Sequence, residues 1–369
     1  MEIIYLNIKM KKFKTAFITF FPVVPDNMGS SAVINSRFNS WPYQKKIFQL
    51  SHKKKLNSKN LKTIFIRKEN PIFKIFYLPY LIMQIVKYLK NSNKKIVVIE
   101  GASWIFYSFI ILVSFKIFFS QIKIIYISHS IESEIRKKFS NIFIYFLTKY
   151  LEKLVFKYSD FATSVSKFEK NKIKKLYSKN TILYPNAINV NNRFIKIKIK
   201  KKYIIYSGSY LYKPNKQAID YLNYIIMPQI VKKFPDLKFI LTGGGFKKKF
   251  PWLINKNIVP KQALYNLIYN SICMCVPLKF GSGTRVKIIE ALSLGSIVVS
   301  SKKGIEGIEL LNKKPPYVFN NTKNFLEILT NVIKNNKKIK NKAYKDRNYY
   351  LKKYSMKKNT SIFLKKINL

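Results

Sequence analysis

The 369-residue chain carries 70 Lys and Arg against 16 Asp and Glu, a formal charge of +54, and 48% of it is hydrophobic. That length favours two domains over one small core, and the hydrophobic share is enough to bury both. Arginine occurs only at Arg37, Arg67, Arg136, Arg193, Arg285 and Arg347, which argues against a specific nucleic-acid reader, since such readers favour the arginine fork, and leaves non-specific attraction to anionic lipid as the better use of the charge.

Residues 1–9 read as an appendage if Met10 is the true start, and no secretory signal is evident. The first half then alternates apolar strands with helix-length runs. Strands are expected at Thr15–Phe20, Thr63–Ile66, Ile96–Ile99, Ile122–Ile127, Phe161–Ser164 and Thr181–Tyr184. Helices are expected at Ser31–Asn39, Ile75–Lys90, Ser103–Phe119, Ile131–Tyr158 and Lys167–Leu176. This alternation predicts a parallel sheet covered on both faces. Trp104–Phe119 is the most membrane-like stretch, but Ser108, Ser114 and Lys116 interrupt it and it is short for a span, so it reads as a buried helix. The basic, aromatic stretches Phe73–Lys90 and Ile135–Lys157 have two readings: core helices with lysines outward, or helices lying on a membrane.

Asn186–Lys202, polar and then alternating Lys with Ile, has no helix signal and reads as a connection. Beyond it come strand Tyr203–Ser207, helix Lys216–Lys233 with an internal Pro228, and strand Lys238–Thr242 running into Gly243-Gly244-Gly245. Helix Gln262–Tyr269, strand Ile272–Val276, strand Ser296–Ser300, a short strand near Tyr317–Phe319 and lysine-rich helices over Lys323–Leu369 complete the chain. Cys273 and Cys275 alternate within a strand and should share one buried face; with only His52 and His129 elsewhere, no zinc-like spacing exists.

Between the last two long strands lies the segment richest in chemistry, Phe280-Gly-Ser-Gly-Thr-Arg-Val-Lys-Ile-Ile-Glu290-Ala-Leu-Ser-Leu-Gly295. It reads as a glycine loop, a helix and a glycine stop. Gly281, Ser282, Gly283 and Thr284 precede a helix start whose N–H groups can face an anion, with Arg285 and Lys287 beside it. Lys287 and Glu290, three apart, share one helical face, offering a cation for phosphate and a carboxylate for hydroxyls. His129 closes the strand Ile124–Ser128 at its carboxyl end, where ligands of α/β proteins gather, and Glu132 follows as a ligand or a helix cap.

Taken in order, these motifs resemble a family. Asn27-Met-Gly-Ser-Ser31, with Gly29 and Ser30, resembles its glycine turn after the first strand; Tyr126-Ile-Ser-His-Ser-Ile-Glu132 its "y.sHniE" segment; and Asp160 with Thr163-Ser-Val-Ser166 its aspartate ahead of a "vS" pair. Leu183-Tyr-Pro-Asn-Ala-Ile188 resembles "v.PNGi", with Ala187 where glycine is usual, and Tyr206-Ser-Gly-Ser-Tyr-Leu-Tyr-Lys-Pro-Asn215 its first donor-domain loop. The fullest match is Pro277–Gly307. Over nearly all its length the chain is similar to retaining glycosyltransferases of the GT-B fold, family 4, also called group 1.

The resemblance implies two Rossmann-like domains facing across a cleft: residues 1–185 binding the acceptor, a linker 186–202, a nucleotide-sugar domain 203–345, and a segment 346–369 crossing back to the first domain. It implies transfer of a sugar from a nucleotide-sugar donor to a glycan or lipid-linked acceptor with retention, in surface polysaccharide or lipopolysaccharide synthesis. The donor would be held by Gly208, Ser209, Lys213, Gly243, Gly281, Ser282, Gly283, Thr284 and Glu290. Arg285 and Lys287 would stabilise the departing diphosphate, and His129 would contact the acceptor or the transferred sugar; Gly29, Ser30 and Glu132 would form the acceptor or phosphate loop. No cofactor and no metal are expected, since no Asp-x-Asp cluster lies near the donor loop, and the expected location is the cytoplasm or the inner membrane face. Two departures stand out: Ala187, and Ser282 in the place where many members carry a first glutamate eight residues before Glu290. Ser282 gives the alternative of an inactive sugar-nucleotide-binding protein.

Overall fold

The computed structural model describes residues 13–24, 29–52, 57–189, 202–311 and 317–369. It divides into two compact units, Met1–Asn186 with Met356–Leu369, and Ala187–Ser355. Of the expected linker 186–202, residues 190–201 lie outside the described set, as do residues 1–9, Asn27 and Met28.

In unit 1, β1 (Phe13–Thr19), β2 (Gln44–Ser51), β3 (Leu61–Phe65), β4 (Lys94–Gly101), β5 (Lys123–Ser128), β6 (Phe161–Ser164) and β7 (Ile182–Leu183) form one sheet in the order β3-β2-β1-β4-β5-β6-β7. Every pairing is parallel, with Phe17 opposite Ile47 on one side and Val98 on the other. Strand β2 lacks a clear sequence signal, because it opens Gln-Lys-Lys and carries a polar residue between Phe48 and Leu50. That residue, Gln49, is buried and satisfied: it accepts from Val23 N (2.9 Å) and donates to Thr63 Oγ1 (3.0 Å).

The helices between the strands are α1 (Gly29–Ser40), α2 (Pro71–Phe76), α3 (Leu78–Leu89), α4 (Ile105–Phe118), α5 (Glu132–Phe139), α6 (Ile142–Tyr158) and α7 (Lys167–Tyr177). The single helix expected over Ile131–Tyr158 is two. Asn141 starts the second by accepting from Ile144 N (2.8 Å), since an amide side chain with extended backbone satisfies a helix-start donor. Pro71–Leu89 is long and apolar enough to cross a bilayer by length and composition, yet Leu78, Leu81, Ile85 and Leu89 are buried in the core of the unit. The stretch Trp104–Phe119 corresponds to α4, whose Ile105, Tyr107, Ile111, Leu112 and Phe115 are buried, as expected of a core helix.

Unit 2 repeats the plan with β8 (Tyr203–Ser207), β9 (Lys238–Thr242), β10 (Leu253–Asn257), β11 (Met274–Val276), β12 (Val298–Ser301) and β13 (Val318–Phe319), all parallel in the order β10-β9-β8-β11-β12-β13. Strand β10 had not been expected. Cys273 and Cys275 do share a buried face, as free thiols with sulfurs 3.7 Å apart. The helix around Pro228 is α8 (Lys213–Tyr221), a π-helical turn Leu222–Ile226, and α9 (Met227–Lys233). A proline ring cannot sit against the carbonyl four residues earlier, and the widened turn before it removes that clash.

The remaining helices of unit 2 are α10 (Lys261–Asn270), α11 (Val286–Ser293), α12 (Lys302–Ile305), α13 (Thr322–Lys334) and α14 (Asn336–Lys353). The return to unit 1 begins at Met356, later than the expected 346, because α14 runs to Lys353 within unit 2, where the Tyr354 hydroxyl accepts from Glu309 N (2.8 Å). The returning helix α15 (Met356–Lys366) stacks Phe363 on Tyr184 with ring centroids 4.6 Å apart, while Thr360 Oγ1 meets Tyr184 OH at 2.7 Å.

Both sheets reverse strand order once, at β1/β4 and at β8/β11. In open parallel sheets the crevice outside the strand ends at such a point is where ligands bind. Each unit carries its chemistry there.

Candidate functional site

In unit 2, β8 leads into Gly208, and β11 leads through residues 277–285 into α11. Gly208 and Gly243 are glycines for a steric reason. Gly243 has φ +109°, and a Cβ there would lie 2.5 Å from the carbonyl carbon and oxygen of Gly208. A Cβ on Gly208 would in turn lie 2.7 Å from Asn215 Nδ2 and 2.8 Å from Lys287 Nζ. The expected donor-binding residues Gly208, Ser209 and Gly243 are thus packed together with Lys287, expected at the departing diphosphate, and with Asn215.

Asn215 is the hinge of this packing. Its Oδ1 accepts from Tyr206 OH (2.7 Å) and from Lys287 Nζ (3.1 Å), while its Nδ2 donates to Ser209 O (3.0 Å). The Lys287 ammonium also lies 4.1 Å from the centroid of the Tyr206 ring. Burial, together with the neighbouring Arg285 charge, pulls the Lys287 pKa down to about 7, against a smaller upward pull from Glu290.

Arg285 is the residue from which α11 starts, with extended backbone (φ −84°, ψ 96°), and it is buried. Its Nη1 donates to the carbonyls of Ser282 (2.6 Å) and Gly283, so the guanidinium braces the loop that the glycines form. Gly281 lies against the same guanidinium, at φ +120°. Thr284 is buried, and among the described residues its Oγ1 has no hydrogen-bond partner. Glu290 is buried on α11 and accepts from Tyr265 OH at 3.2 Å. Lys213 begins α8 as an exposed residue.

The crevice of unit 1 is built on a residue that the sequence reading had passed over. Glu100, at the end of β4, is fully buried; its two oxygens accept from Arg37 Nη1 (2.8 and 2.6 Å), and Oε2 lies 2.6 Å from His129 Nε2. Arg37 comes from α1 and lies 4.9 Å over the Tyr184 ring. Burial pushes the Glu100 carboxyl up, but the Arg37 charge and the His129 bond outweigh it and hold the group below its ordinary value. Burial lowers the His129 pKa despite the Glu100 bond. An ionised carboxylate only accepts, so His129 Nε2 carries the proton, and in the neutral ring Nδ1 is the acceptor. Gly29 and Ser30 open α1, the helix that delivers Arg37.

Glu132 braces the fold. Its Oε2 accepts from Ile105 N (2.7 Å) at the start of α4, and its Oε1 accepts from Arg136 Nε (2.9 Å) and Nη2 (2.8 Å). It therefore caps α4 instead of its own helix, and burial raises its pKa to about 7. Asp160 has a similar part, accepting from Ile124 N and from Lys116 Nζ. Ala187 is buried and is not among the residues at positive φ, so it carries none of the backbone cost that a glycine-requiring geometry would impose.

Glu100 had a sequence signal, an acid before glycine at the end of the apolar run Ile96–Ile99. Tyr206 and Asn215 are the first and last residues of the loop motif Tyr206–Asn215, and the sequence does not show that they meet. Tyr265, on α10, had no sequence signal.

Residues 201–335 match the family model described as glycosyl transferases group 1. That stretch is a group 1 glycosyltransferase domain. It spans β8 to α13 and so contains the residues from Tyr206 to Glu290 described above. Among solved structures the chain is similar to sucrose-phosphate synthase from Thermosynechococcus elongatus, with 12% identity over 96% of this chain and 98% of that one and a TM-score of 0.74. It is also similar to HepE from Anabaena in complex with UDP and glucose (10%, 96% and 99%, 0.72), and to the trehalose-6-phosphate synthase OtsA (8%, 96% and 99%, 0.71). At these identities the likeness establishes the fold, which is GT-B with two Rossmann-like domains. Comparison with curated proteins gave no match.

Proposed function

We propose that the protein transfers a sugar from a nucleotide-sugar donor, held by the group 1 domain, to a glycan or lipid-linked acceptor received by unit 1, with retention of configuration. A surface polysaccharide or lipopolysaccharide is the product class that the motif order suggests. The observation that carries the reading is the pair of cations at the start of α11, Arg285 on the loop carbonyls and Lys287 over Tyr206, at the strand-order reversal of unit 2. As the glycosidic bond to the leaving group breaks, negative charge grows on the diphosphate, and fixed cations with helix-start N–H groups lower that barrier. A bound diphosphate would raise the depressed Lys287 pKa and fix its proton. Glu290, steadied by Tyr265, would accept from the ribose hydroxyls, with Gly208, Ser209 and Gly243 letting the backbone approach the donor. The charge compensation is assigned to these side chains, with no cofactor. His129, held by Glu100, would contact the transferred sugar or the acceptor. That HepE was solved in complex with UDP-glucose supports the donor class.

The test is a panel of nucleotide sugars with nucleoside diphosphate release as the readout, and with the anomeric configuration of the product read by NMR. Release in wild type that collapses in Arg285→Ala supports the reading; an inverted product would remove retention from it. Ser282, where a first glutamate is usual in the family, favours a second reading as a binding protein without turnover. Nucleotide binding with no release from any donor would establish it.

A further inference from the structure

Helix α6 turns apolar side chains in two opposite directions. Thr148, Leu151, Glu152, Val155 and Phe156 are buried against the unit. On the other side Phe143, Phe146, Leu147 and Tyr150, spaced i, i+3, i+4 and i+7, are 81, 58, 47 and 61% exposed. The same outward stripe continues into Lys153 and Lys157, and Lys137 and Lys138 stand exposed just before the helix. Between Arg136 and Tyr158 the only acid is Glu152. It is buried, accepting from Glu132 N (2.7 Å) and Tyr177 OH (2.6 Å), and so subtracts nothing from the outward charge.

Apolar side chains are also exposed at the start of α2. Ile72, Phe73 and Phe76 are exposed there, and the helix is tied to α4 by Tyr107 OH donating to Pro71 O (3.0 Å). On α6 itself a run of exposed aromatic and aliphatic side chains is edged by lysines with no acid facing out. Of the outward acids nearby in the chain, Glu134 is ion-paired to Lys172 and Glu69 lies next to His52. Such a face matches one surface above others. An anionic bilayer takes apolar side chains below its headgroups and meets lysines at them.

We propose that the outward face of α6 docks unit 1 on an anionic lipid bilayer, with Phe143, Phe146 and Leu147 entering the interface and Lys137, Lys138, Lys153 and Lys157 contacting headgroups. The proposal is independent of the donor chemistry and stands or falls apart from it.

The test is co-sedimentation of the full chain with phosphatidylcholine vesicles, alone or with about one-third phosphatidylglycerol, at moderate and high salt. Wild type should bind the anionic vesicles, bind neutral ones weakly and be released by salt. Phe143→Ser with Phe146→Ser should lower the partition about tenfold or more. Replacing Lys137, Lys138, Lys153 and Lys157 by Gln should do the same at moderate salt, whereas Lys247, Lys248 and Lys249→Gln in unit 2 should not. All these positions are exposed, and thermal melts check that the variants fold. A Phe143→Trp variant gives a second readout, a blue shift of its emission on adding anionic vesicles. Undiminished binding by the double serine variant would overturn the proposal. So would an equal loss in the unit 2 lysine variant, because total charge would then be the cause. Concentration-dependent self-association that the serine variant abolishes, without vesicle binding by wild type, would assign the face to a second copy of the chain.

Discussion

The two crevices differ in how their charges are balanced. In unit 1 an acid meets its cations inside the protein: Glu100, fully buried, accepts twice from Arg37 and meets His129. In unit 2 the cations meet neutral dipoles, Lys287 on the Asn215 amide and Arg285 on loop carbonyls, and the ammonium is depressed to about 7. The first arrangement holds side chains in place. The second buries an ammonium at a cost that an incoming anion would lower, which fits the diphosphate role proposed for it.

The largest effect that tests this contrast is on stability. Glu100→Gln leaves Arg37 buried without its anion and should lower unfolding free energy by about 3–5 kcal/mol in urea denaturation. A loss below about 1 kcal/mol would show that the unit 1 cluster is not a closed ion network. Next, Arg285→Ala should cut turnover by about 100- to 1,000-fold with little change in the melting temperature. Melting that falls in step with activity would make Arg285 a brace for the loop and nothing more.

The pH response separates the crevices further. Folded Lys287 titrates at about 7 against 10.5 for the ordinary side chain, so between those values the unfolded chain binds more protons. The burial penalty is present in full below pH 7 and is relieved as pH rises, with a slope of at most about 1.4 kcal/mol per pH unit. Urea denaturation at pH 7, 8 and 9 should show this slope in wild type and lack it in Lys287→Met. Across the same range the nucleoside diphosphate affinity of wild type should weaken as the ammonium deprotonates, by titration calorimetry, while the variant stays flat. The smallest effect is expected away from both crevices: Asn141→Ala removes one helix cap and should cost about 1 kcal/mol without touching turnover.

Periodicity made most of the fold legible, since buried parallel strands are apolar runs and the helices between them are long. It failed where polarity hid a strand, as with Gln49 between Phe48 and Leu50 of β2, and where one capping amide, Asn141, split a helix. The unit 2 loop was legible because its glycines, cations and acid are neighbours in sequence. The unit 1 cluster was not, because Arg37, Glu100 and His129 are joined only by the sheet order that brings β1 beside β4. For Glu132 the sequence offered a ligand or a cap of its own helix, and could not show that its partner, Ile105 N, comes from another helix.

The returning helix α15 bears on how the chain is made. The slot beside Tyr184 and Trp41 that Phe363 fills belongs to unit 1, yet all of Ala187–Ser355 is translated before it can be closed. Domains usually finish in the order in which they leave the ribosome. Here the first unit to emerge is the last to be completed, and its Tyr184 face lacks Phe363 until all of the second unit has been made.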